Sequence, residues 1–145
     1  MWFFGSNPKL SDYDDAATAA EAALRPQIRK LLIARPNTAK GIRRLTSAAP
    51  LLLLHGFVCF YAKKYRIKRN DHQVAVTFKV FKSFFGDEVA GAMKSALREQ
   101  LCNAGDLRML KEGENAAAYY QREGLQLIAA FLGDVVDEND SGTAA

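Results

Sequence analysis

From Leu45 to Ala62 the chain runs eighteen residues without a charge, LTSAAPLLLLHGFVCFYA, and bases close the run on both sides. An apolar stretch of that length has two physical outlets, the centre of a helical bundle or a lipid bilayer. The flanking charge has one sign. Between Arg25 and Arg69 stand twelve basic residues and no acidic one. Residues 1–24 carry −3 and residues 70–145 carry −5, so the net +4 conceals a strong segregation. Segregated charge beside an apolar segment tells where an anionic or apolar partner can dock, and it specifies no chemistry.

Three features favour the bundle over the bilayer. Thr46, Ser47, Pro50, His55 and Gly56 dilute the hydropathy of the run. As a helix it reaches only about 27 Å, short of a hydrocarbon core of about 30 Å. Seven bases over residues 25–44 face five over 63–69, so the charge bias gives a span no orientation. The run therefore reads as a central helix near residues 47–66, apolar all round because other helices surround it, with a membrane-embedded segment over 45–62 as the alternative.

The rest of the chain supplies those helices. Residues 1–10 read as an extended lead-in, and Ser11 as the N-cap of an alanine-rich helix that Pro26 kinks or breaks near Leu24–Arg25. Thr46 or Ser47 caps the central helix, with Pro50 in its first turn. Gly56 in mid-helix points to a close helix crossing. Residues 71–85 fit two templates. Val74, Val76, Phe78 and Val80 alternate as in a strand, yet a helical face through Val74, Phe78, Phe81 and Phe85 also accounts for Phe84. The helix wins, starting at Asn70 or Asp71 and stopping at Gly86. Asp87 caps a further helix to about Cys102, with Val89, Ala92, Met93, Ala96, Leu97 and Leu101 inward. A turn over 107–110 and Gly113 then precede a last helix from Glu114 to Leu132.

The expected architecture is all-α: a single-domain bundle of about five helices spanning 11–133, after the segment 1–10 and before an acidic, disordered tail, 134–145. At 145 residues and 49% apolar content the chain can bury one core. Two cysteines imply no disulfide framework and suit a cytoplasmic or other reducing compartment. The N-terminus has neither the basic region nor the apolar length of a secretory signal.

The densest basic stretch is Lys63, Lys64, Tyr65, Arg66, Lys68 and Arg69, with Arg43 and Arg44 upstream of the central helix. Cations with an interleaved aromatic suit phosphate or carboxylate groups. No nucleic-acid-binding motif accompanies them, and twelve acids follow residue 70, so an acidic protein or an anionic lipid surface ranks above nucleic acid. The bland alternative is a solvated helix end, or pairing with the protein's own acidic helices. Trp2, Phe3 and Phe4 precede any helix and read as docking aromatics.

Catalytic signals are weak. His55 and Cys59 share a helix face, but two residues make no metal site, and a buried, hydrogen-bonded histidine is the ordinary outcome. Asp12, Asp14 and Asp15 lack the glycine and distal glutamate of a calcium loop. No phosphate loop, nucleophile elbow or zinc helix is present. The sequence thus predicts a non-enzymatic helical interaction module, a subunit or adaptor of a larger complex, without metal or cofactor, docking through the basic zone 25–69.

Overall fold

The computed structural model describes residues 8–34, 46, 48–103 and 108–119. Among them the chain forms four helices and no strand: α1 (Leu10–Ala34), α2 (Ala48–Lys64), α3 (Asn70–Asn103) and α4 (Arg108–Tyr119). The all-α expectation holds. The acidic tail, the segment 1–7 and the second half of the expected last helix lie outside the described residues.

α2 is the axis of the bundle. Residues 51–59, Tyr61 and Ala62 are buried, so the helix has no solvent-facing side over three turns. α1, α3 and α4 all pack on it, most extensively α4. Each large apolar side chain removed from water here, such as Phe57, Leu51 or Leu53, contributes about 1.5–3 kcal/mol. α2 is 17 residues long, and no helix among the described residues is long and apolar enough to cross a membrane.

The helices around this bulky axis approach it through small residues. α1 presents Ala16, Ala17, Ala20 and Leu24; α4 presents Gly113, Ala116 and Ala117. The α2–α4 crossing is reciprocal. A Cβ at Gly56 would collide with the Leu110 carbonyl, and a Cβ at Gly113 would collide with the Leu53 carbonyl. The close crossing inferred at Gly56 is therefore real, and it explains a correction. Gly113 does not mark the start of the last helix. α4 begins at Arg108, and Gly113 sits in its middle because only a glycine lets the two backbones touch.

Two helix signals also shift. The cap of α1 is Lys9 rather than Ser11: the Lys9 N–H donates to Asp12 Oδ2 at 2.8 Å, and the Asp12 N–H donates to the Lys9 carbonyl at 2.9 Å. An Asp three residues into a helix can reach back to the cap, and that reach moved the start two residues upstream. Nor does Pro26 break α1, which runs uninterrupted through it. Ala22, whose carbonyl loses its donor at Pro26, is exposed, so water can satisfy it.

α3 departs from helical geometry at Gly86, with φ 84° and ψ 168°, at the predicted stop. In a straight helix Phe78 and Lys94 would stand about 24 Å apart. Instead Lys94 Nζ lies 4.5 Å from the centroid of the Phe78 ring. The helix therefore folds back sharply at Gly86 into two arms. The first buries Val74, Thr77, Val80 and Phe81 of the helical face and also Val76, which that face did not include, while Phe78, Phe84 and Phe85 are half-buried. The second buries Ala90, Met93 and Leu97, while Ala92, expected inside, is exposed.

Candidate functional site

The bases Lys63 to Arg69 fall on the last turn of α2 and the loop that leads into α3. The loop is a tightly hydrogen-bonded helix stop. The Ile67 N–H donates to the Ala62 carbonyl at 2.9 Å, and the Arg66 N–H to the Lys63 carbonyl at 3.1 Å. This paired closure requires a left-handed residue at the position Arg66 occupies, and Arg66 has φ 67°. Glycine is the usual occupant; a residue with a Cβ costs about 1 kcal/mol there. Ile67 is fully buried and plugs the loop into the core beside Ala62. Arg66, Lys68 and Arg69 are exposed around that plug.

A buried polar chain holds the loop from beneath. Gln73 Nε2 donates to the Ile67 carbonyl at 3.1 Å, and Cys59 Sγ donates to Gln73 Oε1 at 3.5 Å. Cys59 Sγ lies 3.4 Å from His55 Nε2, and His55 Nδ1 lies 2.7 Å from Thr77 Oγ1. The last acceptor fixes every direction. Gln73 must present its amide N–H to Ile67, so its oxygen takes the thiol proton. The sulfur then accepts from His55 Nε2–H, and Nδ1 accepts the Thr77 hydroxyl proton. Each of these groups is 5% exposed or less, and each finds a partner, as buried polar groups must.

This arrangement is poor chemistry for a nucleophile. Burial holds the His55 imidazole down at about 4, so it is neutral near pH 7. Burial pushes the Cys59 thiol up to about 12; the Glu114 carboxylate adds to the rise and the Lys63 ammonium opposes it. A thiolate–imidazolium pair needs both shifts reversed. Nor do three His, Cys, Asp or Glu side chains converge on a metal-sized space among the described residues. The chain's evident work is structural: it clamps α2, α3 and the basic loop into one unit.

The surface of that unit is partly self-paired. Lys63 Nζ meets Glu114 Oε1 at 2.9 Å, and Arg69 meets Asp71 through two hydrogen bonds of 3.0 and 3.2 Å. Lys64 lies over the rings of Phe60 and Tyr61, at 4.8 and 5.8 Å from their centroids. Tyr65 is half-buried against the core. Lys68 is exposed and pairs with no acid among the described residues. Lys63 and Arg69 thus meet carboxylates through exposed or half-exposed contacts. Arg43, Arg44, Trp2, Phe3 and Phe4 lie outside the described residues.

Sequence reasoning placed the basic residues, a buried His55 and Thr77 on the inward face of its helix, and it missed the polar contacts of Gln73, Thr77 and Glu114. Gln73 and Thr77 did carry a signal, since they repeat every four residues on the face that ends in Phe81. Glu114 carried none, because its role depends on α4 crossing α2. No protein-family model matches this chain, and neither a curated protein nor a solved structure does.

Proposed function

We propose that the protein is a non-enzymatic helical interaction module whose basic loop, Lys63 to Arg69, docks against the acidic surface of a partner protein. The observation that carries this reading is Arg66. A large cationic residue occupies a left-handed helix stop where glycine would be more stable, and its side chain is exposed between Lys64 and Lys68. A charge kept at a strained position argues for use of the charge. The buried chain beneath the loop supports the reading, because a preorganised surface loses less conformational entropy on binding. Lys68 pairs with no acid among the described residues, and the Lys63 side chain stays 50% exposed in its pair with Glu114.

An immobilised poly-glutamate peptide serves as the surrogate acidic surface, with phosphatidylserine vesicles and a single-stranded DNA oligomer as comparison probes. Poly-glutamate should retain the protein at low salt and release it as salt approaches physiological strength, where screening falls to about 8 Å. Replacing Lys63, Lys64, Arg66, Lys68 and Arg69 together with glutamine should abolish retention. It should cost little stability, since exposed pairs contribute about 0–1 kcal/mol each. Retention by vesicles or DNA alone would replace the protein partner with that class. Equal retention of the glutamine variant would remove the loop from the reading.

A further inference from the structure

The bend of α3 assembles a second basic feature that the linear sequence does not announce. Phe78 is half-buried on the first arm, and two ammonium groups reach over its ring. Lys82 Nζ, one turn along the same arm, is 5.4 Å from the ring centroid. Lys94 Nζ, from the second arm, is 4.5 Å from it. The two charges therefore lie within about one Debye length of each other at moderate salt, where they repel. Phe84, further along the same arm, carries a third cation, Arg25 from α1, at 5.4 Å.

Carboxylates do little to offset this. Among the described residues Lys82 pairs with Asp87, at 3.8 Å, a residue whose side chain is 87% exposed. Lys94 is partly buried, and no carboxylate among the described residues pairs with it. A ring face attracts a cation through its quadrupole but brings no charge to neutralise it. Among the described residues, an ammonium drawn partly out of water, beside a second one and without an acid, is an incomplete ion pair. Its missing member is an anion able to accept hydrogen bonds from both lysines at once.

We propose that the inner corner of the α3 bend is an anion site in which Lys82 and Lys94, held over Phe78, clamp a phosphate group. A phosphate suits the geometry because its several oxygens can accept from two donors that approach from different arms. The backbone makes the clamp: without the fold-back at Gly86, Lys94 could not reach Phe78. This site is separate in residues from the loop Lys63–Arg69, so either can fail without the other.

The test uses the full chain and two sources of phosphate. Binding of inorganic pyrophosphate is followed by calorimetry, and binding to phosphatidylcholine vesicles with and without phosphatidic acid by sedimentation. Lys94→Gln and Lys82→Gln should each weaken phosphate binding about tenfold or more. Lys79→Gln, which removes an equal charge from a lysine paired with Asp14 at 3.1 Å, should change it less than threefold. Phe78→Leu keeps the site apolar but removes the quadrupole, and it should weaken binding while the helical circular dichroism stays unchanged. Pyrophosphate binding without vesicle binding assigns a soluble phosphorylated ligand; vesicle binding that requires phosphatidic acid assigns a headgroup. No binding to either source at millimolar phosphate, or equal losses in all three lysine variants, overturns the site.

Discussion

His55 is the residue whose protonation state most directly reports the packing around it. Folded, it resists its proton down to about pH 4, because burial removes the water that would solvate the imidazolium. Unfolded, it takes the proton near 6.5. The folded state thus binds fewer protons between those values, so the contribution of His55 is fully present above about 6.5 and is lost as pH falls through 4. The loss amounts to about 3 kcal/mol. Cys59 makes the opposite limb: its raised pKa costs nothing below about 9, and stability falls as pH climbs from there toward 12. Proton NMR of the imidazole C–H signals tests the acid limb, since the chain has only two histidines. His55 should remain neutral at pH 5.5; a midpoint near 6.5 would mean that water reaches the polar chain.

At the scale of elements, the α2–α4 crossing decides how close the bundle can pack. Alanine in place of a helical glycine normally adds up to about 1 kcal/mol. At Gly56 and Gly113 the sign should reverse, because the new methyl meets the backbone of the facing helix and not a movable side chain. Gly56→Ala and Gly113→Ala should each lose roughly 1–3 kcal/mol in urea denaturation. Gly91→Ala, on the second arm of α3 with nothing within 4 Å of the added carbon, should stay neutral or gain. Destabilisation of all three alike would show that the crossing is looser than described. The same elements show what was legible in advance. The helical face from Val74 to Phe85, the stop at Gly86 and the crossing at Gly56 follow from local spacing. Gly113 was read as punctuation because its real constraint, the Leu53 carbonyl, comes from 60 residues away in the chain. Pro26 and Ser11 misled for a local reason: exposure tolerates the lost hydrogen bond at the one, and Asp12, reaching back to Lys9, moves the cap upstream of the other.

For the whole molecule, the arrangement turns a linear charge pattern into distinct surfaces. The apolar run that divides the basic zone becomes the enclosed axis α2, and its C-terminal end carries the loop. Acidic residues that follow in the chain return to touch that loop at Glu114 and Asp71, but through partly or largely exposed pairs that salt can weaken. The basic loop was legible in the sequence as composition. Its rigidity was not, because Ile67, Gln73 and Cys59 meet only once α2 and α3 pack together. The anion clamp at Phe78 was hidden for the same reason, since it depends on the bend that brings Lys94 back to the first arm.

Arg66→Gly separates a binding loop from a mere helix end in a single variant. Glycine relieves the left-handed strain at this position, so stability should rise by roughly 0.5–1 kcal/mol, a few degrees in melting temperature. The same substitution removes a cation from the centre of the loop, so affinity for poly-glutamate at low salt should fall several-fold. Opposite signs in the two quantities are what the account predicts. A variant that melts higher and binds poly-glutamate as tightly as the parent would contradict it, leaving Lys63 to Arg69 as the solvated terminus of α2.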